Sequence, residues 1–228
     1  MRAKRKTNSM RQSPLKEKEM HQVILVARYN EDIRWLRWIH LGGEGAHAIV
    51  IDKGSGDVRM HHSFRPDKIS CFTGLVNVGR EGHTFYQFLA DNYSNLPDFI
   101  VLLQGNPFDH SPHIVDRLNA FLQEPIETRP DFLYLSEEMI RVDLDGLGHF
   151  TPVPLPMRAV WEHIFHEASP ERKEWVFGAG AQFVVSKRAI LSRPRSVYER
   201  IVQVLCKEAD PVEGYCMERL HPIVFRVF

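Results

Sequence analysis

Val23-Ile24-Leu25-Val26-Ala27, followed at once by Arg28-Tyr29-Asn30-Glu31, decides how the rest of this 228-residue chain is read. Five consecutive apolar residues without polar alternation mark a strand covered on both faces, the kind found in the middle of a parallel sheet. The polar residues that follow then fall at the strand's carboxyl end, which is where open α/β sheets bind their ligands. Two later stretches repeat the arrangement. Ala48-Ile49-Val50-Ile51 runs into Asp52-Lys53-Gly54-Ser55-Gly56-Asp57, and Phe99-Ile100-Val101-Leu102-Leu103 runs into Gln104-Gly105-Asn106-Pro107-Phe108-Asp109-His110.

Helical patterns separate these strands. Asn30-Glu31-Asp32 offers a cap and an acidic first turn to a stripe of Ile33, Leu36, Trp38, Ile39 and Leu41 that stops at Gly42-Gly43. Phe85, Phe88, Leu89 and Tyr93 trace a helix from about Arg80 to Asn92, and Pro112 opens another that carries Ile114, Val115, Leu118, Phe121 and Leu122. The alternation predicts an α/β fold: a single Rossmann-like domain over residues 22–228 with a mostly parallel central sheet flanked by helices. Residues 74–79 read as a turn or short strand, and Phe132-Leu133-Tyr134-Leu135 as a short strand. Residues 143–157 read as loop, Trp175 to Val185 as a strand broken by Gly178 and Gly180, and about 195–207 and 213–221 as closing helices.

Composition narrows the class of protein. With 43% hydrophobic and 25% charged residues the chain reads as an ordinary globular protein, long enough to bury a core without staples. Cys71, Cys206 and Cys216 are too few for a disulfide scaffold, and none has the spacing of a structural zinc site. No apolar run is long enough to span a bilayer, and the first residues lack the apolar centre of a secretory signal, so a cytoplasmic protein without a membrane span is expected. The 29 basic and 29 acidic residues balance only overall. Residues 1–21 hold seven basic against two acidic residues, which leaves +5 there and −5 on the rest. That segment is expected to be a disordered basic tail, able at most to touch nucleic acid or anionic lipid through charge.

None of the three strand-end loops carries the glycine pattern of a P-loop or a dinucleotide fingerprint, which disfavours nicotinamide enzymes and P-loop kinases. Arg28 and Arg80 are candidates to grip a phosphate or carboxylate, because guanidinium forms bidentate charge-assisted bonds. Asn30, Asp52, Gln104 and Asn106 join them as candidate substrate contacts. Gln182, with Gly178 and Gly180, is read either as pocket lining or as a strand bulge with a buried amide.

Val26-Ala27-Arg28-Tyr29-Asn30-Glu31 and Ile51-Asp52-Lys53-Gly54-Ser55-Gly56-Asp57 resemble the opening of family 2 glycosyltransferases, where the corresponding loops hold a nucleotide. Asn77-Val78-Gly79-Arg80-Glu81, Asn92 to Asp98, Leu103 to Phe108 and Gly180-Ala181-Gln182-Phe183-Val184-Val185-Ser186 resemble domain-of-unknown-function family 3431 of fungi and bacteria, over roughly residues 22–226. The resemblance implies a glycosyltransferase-A-like fold of the nucleotide-diphospho-sugar transferase type. Where those enzymes hold a metal with Asp-x-Asp, this chain has Gln104-Gly105-Asn106, and uncharged amides make weak ligands for manganese or magnesium. Asp109 and His110 could replace them, with His113 further on; otherwise Asp109 caps the next helix and the histidines lie on the surface. Glu218 and His221, three residues apart on one helix, are candidate general bases. Glu218 resembles the acceptor-activating carboxylate of family 2 glycosyltransferases, although Glu218-Arg219 could equally be a structural pair. Asp143-Leu144-Asp145 is a reserve metal candidate. His61-His62, His163 with His166 and Glu167, and the cysteines are read as structural or solvated groups.

Three functions follow as expectations. The first is glycosyltransferase-like group transfer from a small-molecule, nucleotide-linked donor to a small-molecule acceptor, with metal dependence in doubt. The second is acyl transfer from aminoacyl-tRNA, as in cyclodipeptide synthases, with nucleic acid as partner. The third is a non-catalytic ligand-binding protein on the same fold.

Overall fold

The computed structural model describes residues 21–41, 45–56, 68–151 and 153–226. The expected tail apart from His21, together with Gly42-Gly43 and His61-His62, lies outside the described residues. The strands are β1 (Gln22–Arg28), β2 (Ala46–Asp52), β3 (Ile69–Thr73), β4 (Phe99–Gln104), β5 (Phe132–Tyr134), β6 (Met139–Val142), β7 (Trp175–Gly178) and β8 (Phe183–Ser186). Six of them form one sheet in the order β3-β2-β1-β4-β8-β5, and β6 and β7 pair as a separate antiparallel ribbon. β1 to β4 are mutually parallel, with Val26 beside Val50 on one side and Leu103 on the other. β8 runs antiparallel to both β4 and β5. The helices are α1 (Arg80–Asp91), α2 (Ile114–Gln123), α3 (Met157–Phe165), α4 (Lys187–Leu191), α5 (Arg195–Leu205) and α6 (Val212–Val224).

The unbroken apolar strands are explained by two covered faces. Val23, Leu25, Ile49, Ile100 and Leu102 pack into a core with residues of α1, α3, α5 and α6. Their neighbours Ile24, Val26, Val50, Val101 and Leu103 pack on the opposite face with Trp35, Leu36 and Ile114, Leu118 and Phe121 of α2. Since successive strand residues point to opposite faces, β1, β4 and the inner part of β2 are apolar at every position but their ends, whereas edge strand β3 carries Ser70 and an exposed Cys71. Each fully buried apolar side chain contributes about 1.5–3 kcal/mol of transfer free energy.

Three expectations are corrected. The stripe after Asn30 forms a short 3-10 turn over Arg34–Trp38 rather than an α-helix. Ile33, Leu36 and Ile39 recur every three residues and are all buried, which is the spacing of the tighter helix, while Trp38 is left exposed. The strand expected from Trp175 to Val185 is two strands in different sheets, because Gly180 (φ 85°) and Ala181 (φ 50°) take left-handed conformations that turn the chain between them. Finally, β6 precedes the expected 143–157 loop without having been foreseen, and β3 lies just before residues 74–79 rather than within them. No helix among the described residues is long and apolar enough to cross a membrane.

Candidate functional site

β3, β2 and β1 succeed one another in one direction across the sheet and β4 lies on the other side of β1, so the strand order reverses between β1 and β4. Loops leaving neighbouring strands on either side of such a reversal diverge and open a crevice. A cleft of about 560 Å3 lies there, lined by the ends of β1, β2 and β4, the start of α1, the loop before α6, and α6 itself.

The three strand-end loops interlock. The Lys53 N–H donates to the Arg28 carbonyl at 2.8 Å, and the Ser55 N–H to Asn30 Oδ1 at 3.2 Å. Trp35 Nε1 donates to the Gly105 carbonyl at 2.9 Å. Glu31 folds over Gly105 so closely that a Cβ there would lie 2.5 Å from its carboxylate, which also accepts the Tyr29 N–H at 2.6 Å. Glycine at 105 is thus what lets the first and third loops meet.

Two of the cleft's cations are committed to the framework. Arg28 is 6% exposed; its Nη1 donates to Asp52 Oδ1 at 2.5 Å and its Nε to the Glu31 carbonyl at 2.9 Å. Asp52 is fully buried and also accepts the Gly56 N–H at 2.9 Å, so it orients Arg28 rather than facing a ligand. Lys53 donates to the carbonyls of Val78, at 2.6 Å, and Arg80. Burial pulls its ammonium down to about 8, with Glu81 opposing the shift. The Lys53 bridge fixes Gly79 (φ 62°) and Arg80 (φ 51°), consecutive left-handed residues that start α1.

Gly79 and Arg80 present their neighbours to the cleft. The Arg80 guanidinium lies 4.4 Å over the Tyr215 ring, 3.8 Å from Glu81 and 3.6 Å from Asp210. Burial works against its charge, but Glu81, Tyr215, Glu218 and Asp210 together hold it above its ordinary range. Glu81 sits in the first turn of α1, where burial raises its carboxyl; Glu218 adds to the rise, whereas Arg80 and Lys53 oppose it. On α6, Glu218 Oε1 accepts the Gly180 N–H at 2.6 Å, and Oε2 lies 3.4 Å from Arg219 Nη1. Arg219 also donates to the Tyr215 and His149 carbonyls and covers Phe177, so Glu218 and Arg219 form the structural pair that the sequence left open.

Of the sequence-derived candidates, the cleft gathers Arg28, Arg80, Gln104, Asn106 and Asp109, with Asn30 at its edge bridging two loops. Gln104 is half-buried and donates to the Asn106 carbonyl at 2.7 Å; the Asn106 amide lies 3.4 Å from both oxygens of Asp109. Five candidates do not line it: Asp52, buried behind Arg28; Glu218, bonded to Gly180 and Arg219; and Gln182, His221 and His110. Gln182 is fully buried, donating to the Pro107 carbonyl at 3.0 Å and accepting from the Ser111 hydroxyl, so its amide is consumed in joining β8 to the β4 loop. His221 is 1% exposed inside an aromatic cluster, with Nδ1 2.7 Å from the Tyr86 hydroxyl and its ring 4.5 Å from Phe183. Burial pushes its imidazole down to about 3, so it presents no base to the cleft. His110 turns toward Glu138, at 3.0 Å, and His113 toward Glu137, at 3.1 Å.

A metal therefore fits these residues poorly. Among the described residues no three His, Cys, Asp or Glu side chains are grouped to hold an ion, and Asp109 with Asn106 offers two oxygen donors of which one is an amide. The reserve pair is also spent: Asp143 Oδ1 accepts three main-chain N–H groups and Asp145 forms a two-point bridge with Arg158. His163 and His166 are exposed at the end of α3, and Cys216 is buried with its thiol pushed up to about 12.

Glu81, Lys53, Tyr215, Glu31 and Asp210 line the cleft without having been singled out beforehand. Lys53 and Glu31 sit within strand-end loops already read as the site. Glu81 and Tyr215 depend on where α1 and α6 meet, for which one sequence offers no local signal.

Residues 150–227 match the model of a family described as Protein of unknown function (DUF3431), a stretch that runs from the loop before α3 through α6 and includes Gly180, Glu218 and Arg219. Of the segments quoted for that resemblance, only Gly180 to Ser186 falls inside the match; the strand-end loops and Asn77 to Glu81 precede it. No curated protein and no solved structure matches the chain.

Proposed function

We propose that the chain is a group-transfer enzyme of glycosyltransferase-A-like fold that seats an activated donor in the cleft between β1 and β4, with Glu218 as the base that activates an acceptor. The observation that carries this reading is the coincidence of cleft and strand-order reversal, with Arg28, Arg80, Gln104 and Asn106 delivered to it from three separate segments. Such crevices are where open α/β folds place nucleotides and related donors. The glycosyltransferase part of the proposal is an analogy of fold and loops, and fold alone does not name a reaction. Calorimetric titration with UDP- and GDP-sugars, with and without manganese, tests it: micromolar binding is expected, and absence of heat with every sugar nucleotide removes sugar transfer.

One observation favours acyl transfer from aminoacyl-tRNA as a second reading. Arg28, Lys53 and Arg80 line the cleft against Glu31, Glu81, Asp109 and Asp210, and the first two cations are already bonded to a buried carboxylate and to main-chain carbonyls. A leaving diphosphate requires surplus positive charge, whereas this lining suits a neutral or cationic aminoacyl group. Incubation with charged tRNA followed by a mass search for cyclic dipeptides decides between the two, and product that survives ribonuclease treatment of the tRNA defeats the second.

A further inference from the structure

We propose that Lys53 is a positioning residue that holds Arg80 ready for a phosphate of the donor: its ammonium clamps the main chain on both sides of Gly79, so that the Arg80 guanidinium lies against Tyr215 with its N–H groups left for a ligand. This deepens the group-transfer reading and rests on it. It also names the part of the donor that is gripped, a phosphate, which a sugar nucleotide and the acceptor end of a tRNA both carry.

The three cations that line the cleft are spent to different degrees. Arg28 donates to Asp52 and to a carbonyl, and Lys53 donates to two carbonyls. The Arg80 guanidinium instead lies 3.6 Å from Asp210 and 3.8 Å from Glu81, both beyond hydrogen-bonding distance, and its contact with the Tyr215 ring uses no N–H group. A guanidinium laid on an aromatic face in this way keeps its planar fork for two-point bonding to an oxyanion.

The backbone places the guanidinium there. Arg80 is a non-glycine residue at φ 51°, directly after Gly79 at φ 62°. Side-chain sterics disfavour that conformation, so it must be held by bonds from outside. On one side, the N–H groups of Gly79 and Arg80 donate to the Glu208 and Ala209 carbonyls at 2.7 and 3.0 Å. On the other, Lys53 Nζ donates to the Val78 carbonyl at 2.6 Å and to the Arg80 carbonyl. Lys53 is only 8% exposed, and its own N–H is bonded to the Arg28 carbonyl at 2.8 Å, so the clamp fixes the start of α1 relative to the end of β1. Gly214 completes the seat, because a Cβ there would lie 3.1 Å from Arg80 Cδ, against the arginine stem beside Tyr215. With two of its three N–H groups committed to carbonyls, Lys53 acts on a ligand through Arg80 rather than by contact.

NMR of the full chain labelled with nitrogen-15 arginine tests the positioning. The Arg80 Nε–Hε signal, identified by its loss in Arg80→Lys, is expected to be displaced by the Tyr215 ring in the wild type and in Tyr215→Phe, and to return to the position of solvated arginines in Tyr215→Leu and in Lys53→Met. Calorimetric titration with UDP supplies the second readout. Lys53→Met is expected to weaken binding about tenfold, and to weaken it no further when added to Arg80→Met. An Arg80 signal unmoved by Lys53→Met, or a Lys53→Met loss that persists in full on the Arg80→Met background, overturns the proposal. Should Lys53→Met fail to fold, Lys53→Gln, which keeps one donor, takes its place under the same criteria. A wild type that binds no UDP removes the sugar-nucleotide reading, and the signal comparison still decides whether Lys53 holds Arg80.

Discussion

α1 and α6 each run from the cleft into the core, and their two ends treat polar groups in opposite ways. At the cleft end, Arg80, Glu81, Tyr215 and Glu218 are half-buried, charged or polar, and in electrostatic contact with one another. About one turn further in, Tyr86 of α1 meets His221 of α6 and Phe85 meets Phe183, which packs on Phe225, all of them 1% exposed or less. A titratable group in the first environment has its protonation set by neighbouring charges. In the second, burial alone decides, and His221 stays neutral beside the Tyr86 hydroxyl. Sequence spacing placed Glu218 and His221 on one helical face, yet three residues along α6 separate a site residue from a core residue.

The contrast is most easily broken in the core. Phe183→Ala removes a ring with no exposed surface that contacts Phe85, Phe132, Phe225 and His221, and is expected to cost about 3–5 kcal/mol in urea unfolding. A loss under 1 kcal/mol would mean that the cluster is not the close-packed unit described.

At the cleft end the corresponding test is backbone rather than packing. Gly79 sits at φ 62°, and a Cβ there would lie 2.5 Å from the Leu205 carbonyl oxygen. Gly79→Ala should therefore cost about 2–3 kcal/mol, part from handedness and part from the displaced α5 carbonyl. The same variant should weaken any donor that binds, since Arg80 and Glu81 follow directly.

The smallest effect sharpens the comparison through pH. The folded chain keeps His221 neutral down to about pH 3, whereas the unfolded chain protonates it near 6.5. The sign follows: this contribution to stability is intact above pH 6.5 and declines as pH falls toward 3, by about 1.4 kcal/mol per unit, or about 2 kcal/mol by pH 5. His221→Gln should flatten that part of the acid limb, measured as unfolding free energy at pH 7 and pH 5. His83, drawn down to about 4 by burial and by Lys53, leaves a residual slope of the same sign. Glu81 has the reverse sign, because its raised carboxyl favours the folded state below the unfolded value near 4.5 and loses that advantage as pH climbs through the folded one.

How much of this was legible in the chain follows from which interactions set each element. β1, β2 and β4 were readable because both faces are buried, which writes the constraint into every consecutive residue. Their loops could be assigned to one sheet edge for the same reason, since parallel strands end on the same side. β7 and β8 were read as one strand because each is only four residues long and their separation rests on two left-handed residues, one of them an alanine. Gln182 stayed open between pocket lining and a buried amide because a polar residue before an apolar strand carries no mark of where its amide points; it is the buried amide. The aromatic burial of His221 and the arrival of Glu81 beside Glu218 depend on how α1, α5 and α6 pack, which is set by contacts distant in sequence.

Gly79 and Arg80 donate their N–H groups to the carbonyls of Glu208 and Ala209, at 2.7 and 3.0 Å. Those two bonds rivet the front of one helix to the strap that introduces another, so neither can swing without dragging its companion.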